Sequence, residues 1–586
     1  MASVSLTNYP KELQLSILDL LDVVDLIPMN AVNKHFRALT EALIYRHIEI
    51  TWRPNETPPI TLLLRTLIDR PELCQLIHGL RLDGEGFTTS SGYPDEPPAL
   101  PVASLSIAKA SELIELTNVP YAQQWTEELQ SGHVDAIVAL LISMLPQLTT
   151  LHLGPNFTVE SRLLGQMLRS ALCQSPPASR LPAFEQLRQV TFCRRTNEYR
   201  QRTANNSADV LPFFYLPAIH DLSVSIDNPK DFSWHGRAPT PSSLRSLEVY
   251  RLRENRLGPL LTTLSGLQKL HWHCFYQDDL DCDVSRDVVD LDELTRALDR
   301  IGNTLIDLTI EAETSPAILA GDYEPPPLAI SGSLMGLSRL RQVKKLCVPW
   351  VFLMGQSPPG GCRLGHLLPP TLQLLKLSAD LDEPAEKWMW YDPDSIIQAI
   401  KTAVHDSTMS SLPDLRRIIL PIPQCVGDLT EERRAQLRQL SDRVANPKTS
   451  ELTAYLNEDE DESHPYNWHW KPVGLIASGL GPGRNVRFAD LDGDGGRCFQ
   501  KLEESWSMGP VRSRDPPEPK AQLPPTLVHW TPQLVALASV ESPAVKETHL
   551  HLTGGLGTRR GRTPSVPDIA YAAYLMSDQR RLSSSS

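Results

Sequence analysis

The chain has 586 residues, a formal net charge of −14 at pH 7 and nine cysteines, which are odd in number and form no C-x-x-C pair. The length allows two to four domains with a large core, whereas the negative charge disfavours nonspecific nucleic-acid binding and the cysteines argue against a disulfide framework and a zinc site. No apolar run is long enough to span a bilayer, and the first residues lack a basic and hydrophobic leader, so we expect a cytoplasmic or nuclear protein without a membrane partner.

Three short helices are predicted within the first 52 residues. Apolar residues at positions 13, 17, 18 and 21 recur at helical spacing after Pro10, which predicts a helix from about residue 10 to 21. A second helix is predicted to begin near Asp25 as its N-cap, and a third to run from about Val32 to Tyr45. Helices this short bury little core by themselves, so an exposed apolar face on them indicates a partner surface.

The order of residues from 6 to 52 resembles the F-box. The resemblance rests on Tyr9-Pro10, on the Val32-Asn33-Lys34 run followed by Phe36-Arg37, and on the closing segment from Tyr45 to Ile50. It implies that the chain docks a Skp-family adaptor and through it a cullin-RING ubiquitin ligase. The alternative is that these are ordinary core residues of a helical N-terminus.

The same resemblance implies roles for individual side chains. The implied adaptor contacts are Pro10, Leu13, Ile17, Leu18 and Leu21. Val32 and Phe36 would hold the helices together. Substitution of Lys11 or Gln14, which are expected to lie outside the interface, would matter far less.

A short strand led by Leu-x-x-Leu or a close variant recurs ten times between about residues 46 and 425. The predicted strands are residues 77–82, 148–153, 187–192, 219–224, 244–249, 267–272, 305–310, 343–348, 372–377 and 415–420. From Leu151 onward, their second apolar anchors are separated by 23 residues at the shortest, Leu247 to Leu270, and by 43 at the longest, Leu375 to Ile418. This pattern resembles a leucine-rich repeat array, whose regular units have roughly 20 to 29 residues, stretched by insertions.

The predicted fold class is α/β, with a small all-α F-box followed by an irregular leucine-rich-repeat-like solenoid. Helices are predicted between the strands, for example over residues 133–144 and 289–301, and we expect residues 46–425 to form one body because a single unit cannot bury its apolar face. Residues that select a substrate are expected in the longest insertions, and the alternative is that these insertions are disordered decorations. The insertions are residues 85–101, 196–212, 228–243, 278–293 and 313–330.

One acidic stretch has the spacing of a calcium-binding loop. Its aspartates are Asp279, Asp281, Asp283, Asp287 and Asp290. Val284 stands where the sharp turn of such a loop needs Gly, and the last position has an Asp instead of the longer Glu. The sequence therefore favours a solvated acidic loop.

A second acidic stretch lies within residues 451–495, which resemble a single FG-GAP or VCBS-type repeat. The resemblance makes Asp490, Asp492 and Asp494 weak candidates for calcium ligands, and Cys498 stands where the next acidic ligand is expected. Residues 496–586 contain ten Pro and little periodic patterning, so we expect mostly disorder there. The change in character suggests the hypothesis that the C-terminal quarter of the chain, from about residue 451, derives from a neighbouring gene or a shifted frame.

The predicted organisation has five segments. These are an F-box domain at 1–52, a substrate-binding solenoid at 53–427, a helical linker at 428–450, a partial β module at 451–495 and a mostly disordered tail at 496–586.

No catalytic motif is apparent in the sequence, since G-x-S-x-G, G-x-x-x-x-G-K and H-E-x-x-H are absent. His271 and His273 share one face of a predicted strand, but without a third ligand we interpret them as ordinary strand residues. We therefore expect an adaptor of an SCF-type ligase that recruits an unidentified protein substrate, without enzymatic activity or a cofactor. The alternatives are an F-box scaffold acting outside a ligase and a secreted calcium-binding or hydrolase-associated protein.

Overall fold

The computed structural model describes residues 6, 9–53, 56–84, 97–174, 179–192, 205–227, 229, 232–277, 280, 284–315, 326, 328–354, 364–378, 380–381, 402 and 412–419. Every described residue lies in one unit of the chain, Met1–Asn467. The predicted linker, β module and tail, from residue 428 onward, are outside the described residues. Within the described residues, no helix is long and apolar enough to cross a membrane.

The first three helices are α1 (Lys11–Leu18), α2 (Val23–Val32) and α3 (Lys34–Arg46). α1 is shorter than predicted and begins directly after Pro10, at an end of the helix where a missing N–H removes no intrahelical hydrogen bond. The prediction of Asp25 as the N-cap of α2 is wrong, because the cap position is Asp22. α3 begins after Asn33, whose Oδ1 accepts a hydrogen bond from the backbone N–H of Phe36 at 2.9 Å.

Eleven strands in the described part of the chain form one parallel sheet, and they lie in chain order. They are β1 (His47–Trp52), β2 (Gly79–Gly84), β3 (Thr150–Leu153), β4 (Gln189–Phe192), β5 (Asp221–Ser225), β6 (Ser246–Tyr250), β7 (Lys269–Gln277), β9 (Asp307–Ser315), β11 (Lys345–Pro349), β12 (Leu374–Ser378) and β13 (Arg417–Ile419). A separate parallel pair joins β8 (Val288–Asp290) to β10 (Ala329–Ser331). All ten predicted strands are confirmed, and β1 adds an eleventh to the main sheet.

The second apolar anchors of the repeats form one continuous row across this sheet. In register from β2 to β13 the row is Leu80, Leu151, Val190, Leu222, Leu247, Leu270, Leu308, Leu346, Leu375 and Ile418. Every member of the row is buried. Because each anchor occupies the same position of its strand, the variable spacing lengthens only the return segments and leaves the strand register unchanged.

Helices occupy many of the return segments. The remaining helices of the described residues are α4 (Ile60–Asp69), α5 (Ile107–Leu116), α6 (Ala122–Gln130), α7 (Val134–Ser143), α8 (Pro155–Thr158), α9 (Arg162–Leu172), α10 (Ser207–Val210), α11 (Glu254–Leu261), α12 (Leu291–Leu298), α13 (Trp350–Met354) and α14 (Leu364–Leu367). Short 3-10 helices span Pro71–Gln75, Leu211–Tyr215 and Met335–Arg339. The helix predicted over residues 133–144 is confirmed as α7, whereas residues 289–301 divide between the end of β8 and α12.

One apolar core extends from Ile50 to Ile418 and packs the helices against the sheet. That residues 46–425 form one body stays a prediction. Ile50 and Trp52 of β1 belong to the core, so the strand that closes the F-box-like stretch is also the first strand of the sheet. The three N-terminal helices have a separate small cluster made of Leu18, Leu26 and Leu39.

The opposite face of the sheet carries mainly polar side chains, because alternate residues of each strand point away from the core. One row of this polar face, in register from β2 to β12, contains Arg81, His152, Thr191, Ser223, Glu248, His271, Thr309, Cys347 and Lys376. We call this surface the polar face. β7 and β9 have nine residues each and pair over their whole length, so the polar face extends further along these two strands than along their neighbours.

Candidate protein-binding surfaces

The side chains implied as adaptor contacts divide between the surface and the interior of the N-terminal helices. Pro10 is exposed, and the side chains of Leu13 and Ile17 are 50% and 41% exposed. Leu21 is half-buried against the small helical cluster. Leu18 is fully buried in that cluster, so it packs within the protein and is not available to a partner in this arrangement.

The residues expected to hold the helices together also differ from expectation. Phe36 is buried as predicted, but Val32 is 64% exposed, so its predicted packing role is wrong. Gln14, expected at the surface, is instead buried: its Nε2 donates to the carbonyl oxygen of Tyr9 at 2.6 Å, and its Oε1 lies 2.7 Å from His35 Nε2. This side chain therefore ties α1 to α3, and the periodicity of apolar residues gave no signal for it.

Exposed apolar side chains are concentrated in the first two helices and the residues beside them. In the described part of the chain, eight of the twelve large apolar side chains that are exposed lie between residues 9 and 32. They are Tyr9, Leu13, Ile17, Leu20, Val23, Val24, Ile27 and Val32. We call these eight residues the apolar patch. Scattered exposed apolar side chains are common on soluble proteins, but a concentration of this kind indicates a surface that another molecule covers.

One set of charged side chains on the polar face lies on β7 and β9. His271 Nε2 lies 2.9 Å from Glu311 Oε2, and His273 Nε2 lies 3.2 Å from Glu313 Oε2. The ring of Tyr250, on β6, packs 5.6 Å from both imidazole rings, centroid to centroid. The prediction that His271 and His273 share a face is confirmed, but their carboxylate partners were missed.

A positional signal could have placed those carboxylates on the strand beside the histidines, although not the diagonal contacts that they make. Glu311 follows the anchor Leu308 by three residues, as His273 follows the anchor Leu270, and Leu270 is in register with Leu308. Equal counting from the two anchors therefore puts His273 and Glu311 side by side on neighbouring strands.

The pKa values of His271, Glu311 and Asp380 are shifted by burial and by the charges of their neighbours. Burial lowers the pKa of His271, but the Glu311 carboxylate and the nearby Glu248 and Asp380 raise it above its ordinary value overall. Burial raises the pKa of Glu311, but its contact with His271 and the charges of His273 and Lys376 together lower it below its ordinary value. Burial raises the pKa of Asp380 to about 6, against the hydrogen bond that its Oδ2 accepts from the backbone N–H of Ala312.

A cation–π contact lies further along β7, at Phe275. The Arg251 guanidinium lies 4.3 Å from the centroid of the Phe275 ring, within the range of a cation–π interaction. Arg251 Nε is also 3.6 Å from the carboxylate of the fully buried Asp227. Arg251 has a φ of +66°, a left-handed backbone conformation that is uncommon for a residue with a side chain. These contacts direct its charge toward the protein.

The insertions expected to select a substrate lie partly outside the described residues, so that expectation stays a prediction, and the candidate metal ligands are described only in part. No group of three or more His, Cys, Asp or Glu side chains could hold a metal ion within the residues that the structure describes. In the first acidic stretch, Asp290 Oδ1 caps α12 by accepting the backbone N–H of Glu293, and residues 279 and 281–283 are outside the described residues. Asp490, Asp492 and Asp494 are also outside them. Both calcium hypotheses therefore remain without structural support.

A small cavity of about 90 Å³ lies between α11 and the β8–β10 pair. Arg253 lines it, and its guanidinium donates to the Ser285 hydroxyl at 2.8 Å and to the carbonyl oxygens of Arg286 and Val288 at 2.6 and 2.8 Å. Ligand pockets usually have several hundred Å³, so this volume is too small for most metabolites. We therefore assign Arg253 a structural role in holding residues 285–288.

Comparison with known families supports one part of this description. A family model described as a leucine-rich repeat domain matches residues 54–248, from the segment before α4 into β6. The leucine-rich repeat interpretation is thereby confirmed for this region, and domains of this kind suggest binding to other proteins. No curated protein matches the chain. The F-box and FG-GAP or VCBS-type resemblances stay predictions.

Proposed function

We propose that this protein is the substrate-recognition adaptor of an SCF-type cullin-RING ubiquitin ligase. In this proposal α1 and α2 bind a Skp-family adaptor, and a leucine-rich-repeat-like solenoid binds the protein that is to be ubiquitylated. The ligase chemistry belongs to the other subunits, so the chain needs neither a catalytic residue nor a cofactor of its own. The proposed location is the cytoplasm or the nucleus.

The apolar patch is the observation that carries the adaptor half of this proposal. Leu13 and Ile17 of α1 and Val24 and Ile27 of α2 expose apolar side chains that the small cluster of Leu18, Leu26 and Leu39 does not cover. Removing such surface from water stabilises a complex by about 25 cal/mol for each Å² buried. The F-box resemblance supports a Skp-family adaptor as the partner that covers it.

The parallel sheet supports the solenoid half of the proposal. Each strand pairs with the strand of the preceding repeat, and the row of anchors continues from Leu80 to Ile418 without a break in register. Repeats stacked in this way present an extended surface of side chains from many strands, which suits the recognition of another protein. We assign substrate binding to the polar face.

Co-purification tests the proposal with the full-length chain. Tagged wild-type protein is expected to recover a Skp-family adaptor and a cullin, and the Leu13→Ala, Ile17→Ala double variant is expected to lose both. The matched control is Leu62→Ala with Leu116→Ala, which removes two similarly exposed leucines from α4 and α5. Recovery of the adaptor without the cullin would contradict the ligase function, and recovery of neither by the wild-type protein would contradict the whole proposal.

A further inference from the structure

We propose that the polar face of β7 and β9 binds an extended protein segment that carries basic side chains at alternate positions. This inference rests on the proposed function, because the segment belongs to the protein that the solenoid recognises. It adds the chemistry of that partner, which the leucine-rich repeat match does not specify.

The first argument is the geometry of the two long strands. On the polar face, β7 presents His271, His273 and Phe275, and β9 presents Glu311 and Glu313. The two glutamates are two residues apart on one strand, about 6.6 Å along its axis. Because an extended peptide has the same repeat of side chains on one side, alternate residues of a bound segment would meet the two carboxylates in turn.

The second argument is that both carboxylates remain accessible while they are held in place. The side chains of Glu311 and Glu313 are 41% and 46% exposed, and each lies close to one imidazole through Oε2. A carboxylate has two oxygens and about four acceptor positions, so one imidazole contact leaves room for a guanidinium or an ammonium group. Tyr250 packs against both imidazoles, which restricts the positions that they can take.

The third argument is charge complementarity. Glu248 and Asp380 lie near His271 and add to the negative charge of Glu311. Lys376 is a cation that influences Glu311, whereas the Arg251 guanidinium is directed toward Asp227 and Phe275. The site therefore has an excess of carboxylates, and a basic segment would balance them, with arginine able to form two parallel hydrogen bonds to one carboxylate.

A separate observation concerns a buried polar side chain at the end of the same strand, which lacks a hydrogen-bond partner within the described residues. Gln277 follows Phe275 by two residues on β7, so its side chain is on the same side of the sheet as those of His273 and Phe275. It is completely buried. Neither polar atom of its side chain has a hydrogen-bond partner. An unsatisfied buried amide is unfavourable, and most buried side-chain polar atoms in folded proteins have a hydrogen-bond partner.

Fluorescence anisotropy with the full-length chain tests this inference. The probe is a labelled peptide of about ten residues in which Thr and Arg alternate, a pattern that favours an extended chain. Peptides in which Gln or Glu replaces Arg are the comparison probes. The test variant is Glu311→Gln with Glu313→Gln, which keeps the shape of both side chains and removes both charges.

The control variant is Glu49→Gln with Asp221→Asn, which removes the same charge from β1 and β5 on the same face of the sheet. We expect the Arg peptide to bind in preference to both comparison probes. The test variant should weaken its binding by about tenfold or more, and the control by less than about twofold. Equal losses in the two variants would overturn the inference, because they would indicate general attraction to an acidic chain.

Failure of the Arg peptide to bind the wild-type protein would also overturn it. Binding of a purified Skp-family adaptor to the same preparations reports on the proposed function separately. An intact adaptor complex without preference for the Arg peptide would therefore reject this inference and leave the proposed function standing.

Discussion

His271 on β7 lies 2.9 Å, Nε2 to Oε2, from Glu311 on β9, which is not the residue directly opposite it in the sheet. The residue in register with His271 is Thr309, and Glu311 is two positions further along the strand. His273 makes the same diagonal contact with Glu313. Two successive contacts of this type align the polar side chains of β7 with those of β9. The stability of this part of the sheet should therefore depend on the protonation of these histidines and glutamates.

The His271–Glu311 pair predicts a particular dependence of stability on pH. The folded pKa of His271 is raised, so its contribution is fully present below its unfolded pKa of about 6.5 and is lost as the pH rises through the folded pKa. The folded pKa of Glu311 is lowered, so its contribution is present above its unfolded pKa of about 4.3 and is lost as the pH falls through the folded pKa. The pair therefore stabilises the protein most between these two unfolded values.

The variant His271→Gln measures this effect by thermal unfolding. The melting temperature of the wild type should exceed that of this variant by more at about pH 6 than at about pH 8. His220→Gln is the control, because His220 and its neighbour Asp221 form a largely exposed pair that should contribute little. An advantage over His271→Gln that does not change with pH would contradict the assignment.

Asp135 predicts a large loss of stability from a single side chain. It is buried in α7, where burial raises the pKa of its carboxyl group to about 8, and its two carboxyl oxygens accept the backbone N–H groups of Leu163 and Leu164, at 2.6 and 3.1 Å, in the first turn of α9. Asp135→Ala leaves both donors unpaired and should cost about 1–3 kcal/mol of unfolding free energy. Asp135→Asn, which retains one acceptor oxygen, should cost less.

Denaturant titration compares these variants with Asp290→Ala, which removes the N-cap of α12 and should cost about 1 kcal/mol. A loss below about 0.5 kcal/mol for Asp135→Ala would show that water or a rearranged α9 satisfies the two N–H groups.

The row of anchors predicts that damage at one repeat affects the whole sheet. Leu270 is 1% exposed and lies between Leu247 and Leu308. Leu270→Ala should cost about 2–5 kcal/mol, whereas Ala at the exposed neighbour Lys269 should cost less than about 0.5 kcal/mol. Unfolding should stay a single transition, because one core connects the repeats. Two transitions, or two stable proteolytic fragments from residues 46–425, would contradict this prediction.

The positions of the strands could be predicted from the sequence because the same apolar pair precedes each one. Each confirmed strand begins two residues later than predicted, for example at Gly79 instead of Ile77. The reason is that Ile77 is buried in the core from the turn that precedes β2, so it shares the apolar pattern without belonging to the ladder.

The chemistry of the polar face was harder to predict, because it depends on contacts between strands about 40 residues apart in the chain. The sequence shows that His271 and His273 share a face, but the contact of His271 with Glu311 requires the register of β7 and β9. Gln14 was misplaced for a similar reason. Its position in α1 is compatible with the surface, and only the docking of α3 brings His35 to within 2.7 Å of its side chain.

Calorimetric titration of the full-length chain with a purified Skp-family adaptor tests the central claim most directly. The wild type should bind, and Leu13→Ala with Ile17→Ala should weaken binding by more than about tenfold, since large apolar anchors at an interface commonly cost about 2 kcal/mol or more when truncated. Leu62→Ala with Leu116→Ala should bind like the wild type, and circular dichroism should show that the helices of both variants are retained. Absence of binding by the wild type, or equal binding by a folded Leu13→Ala, Ile17→Ala variant, would contradict the account.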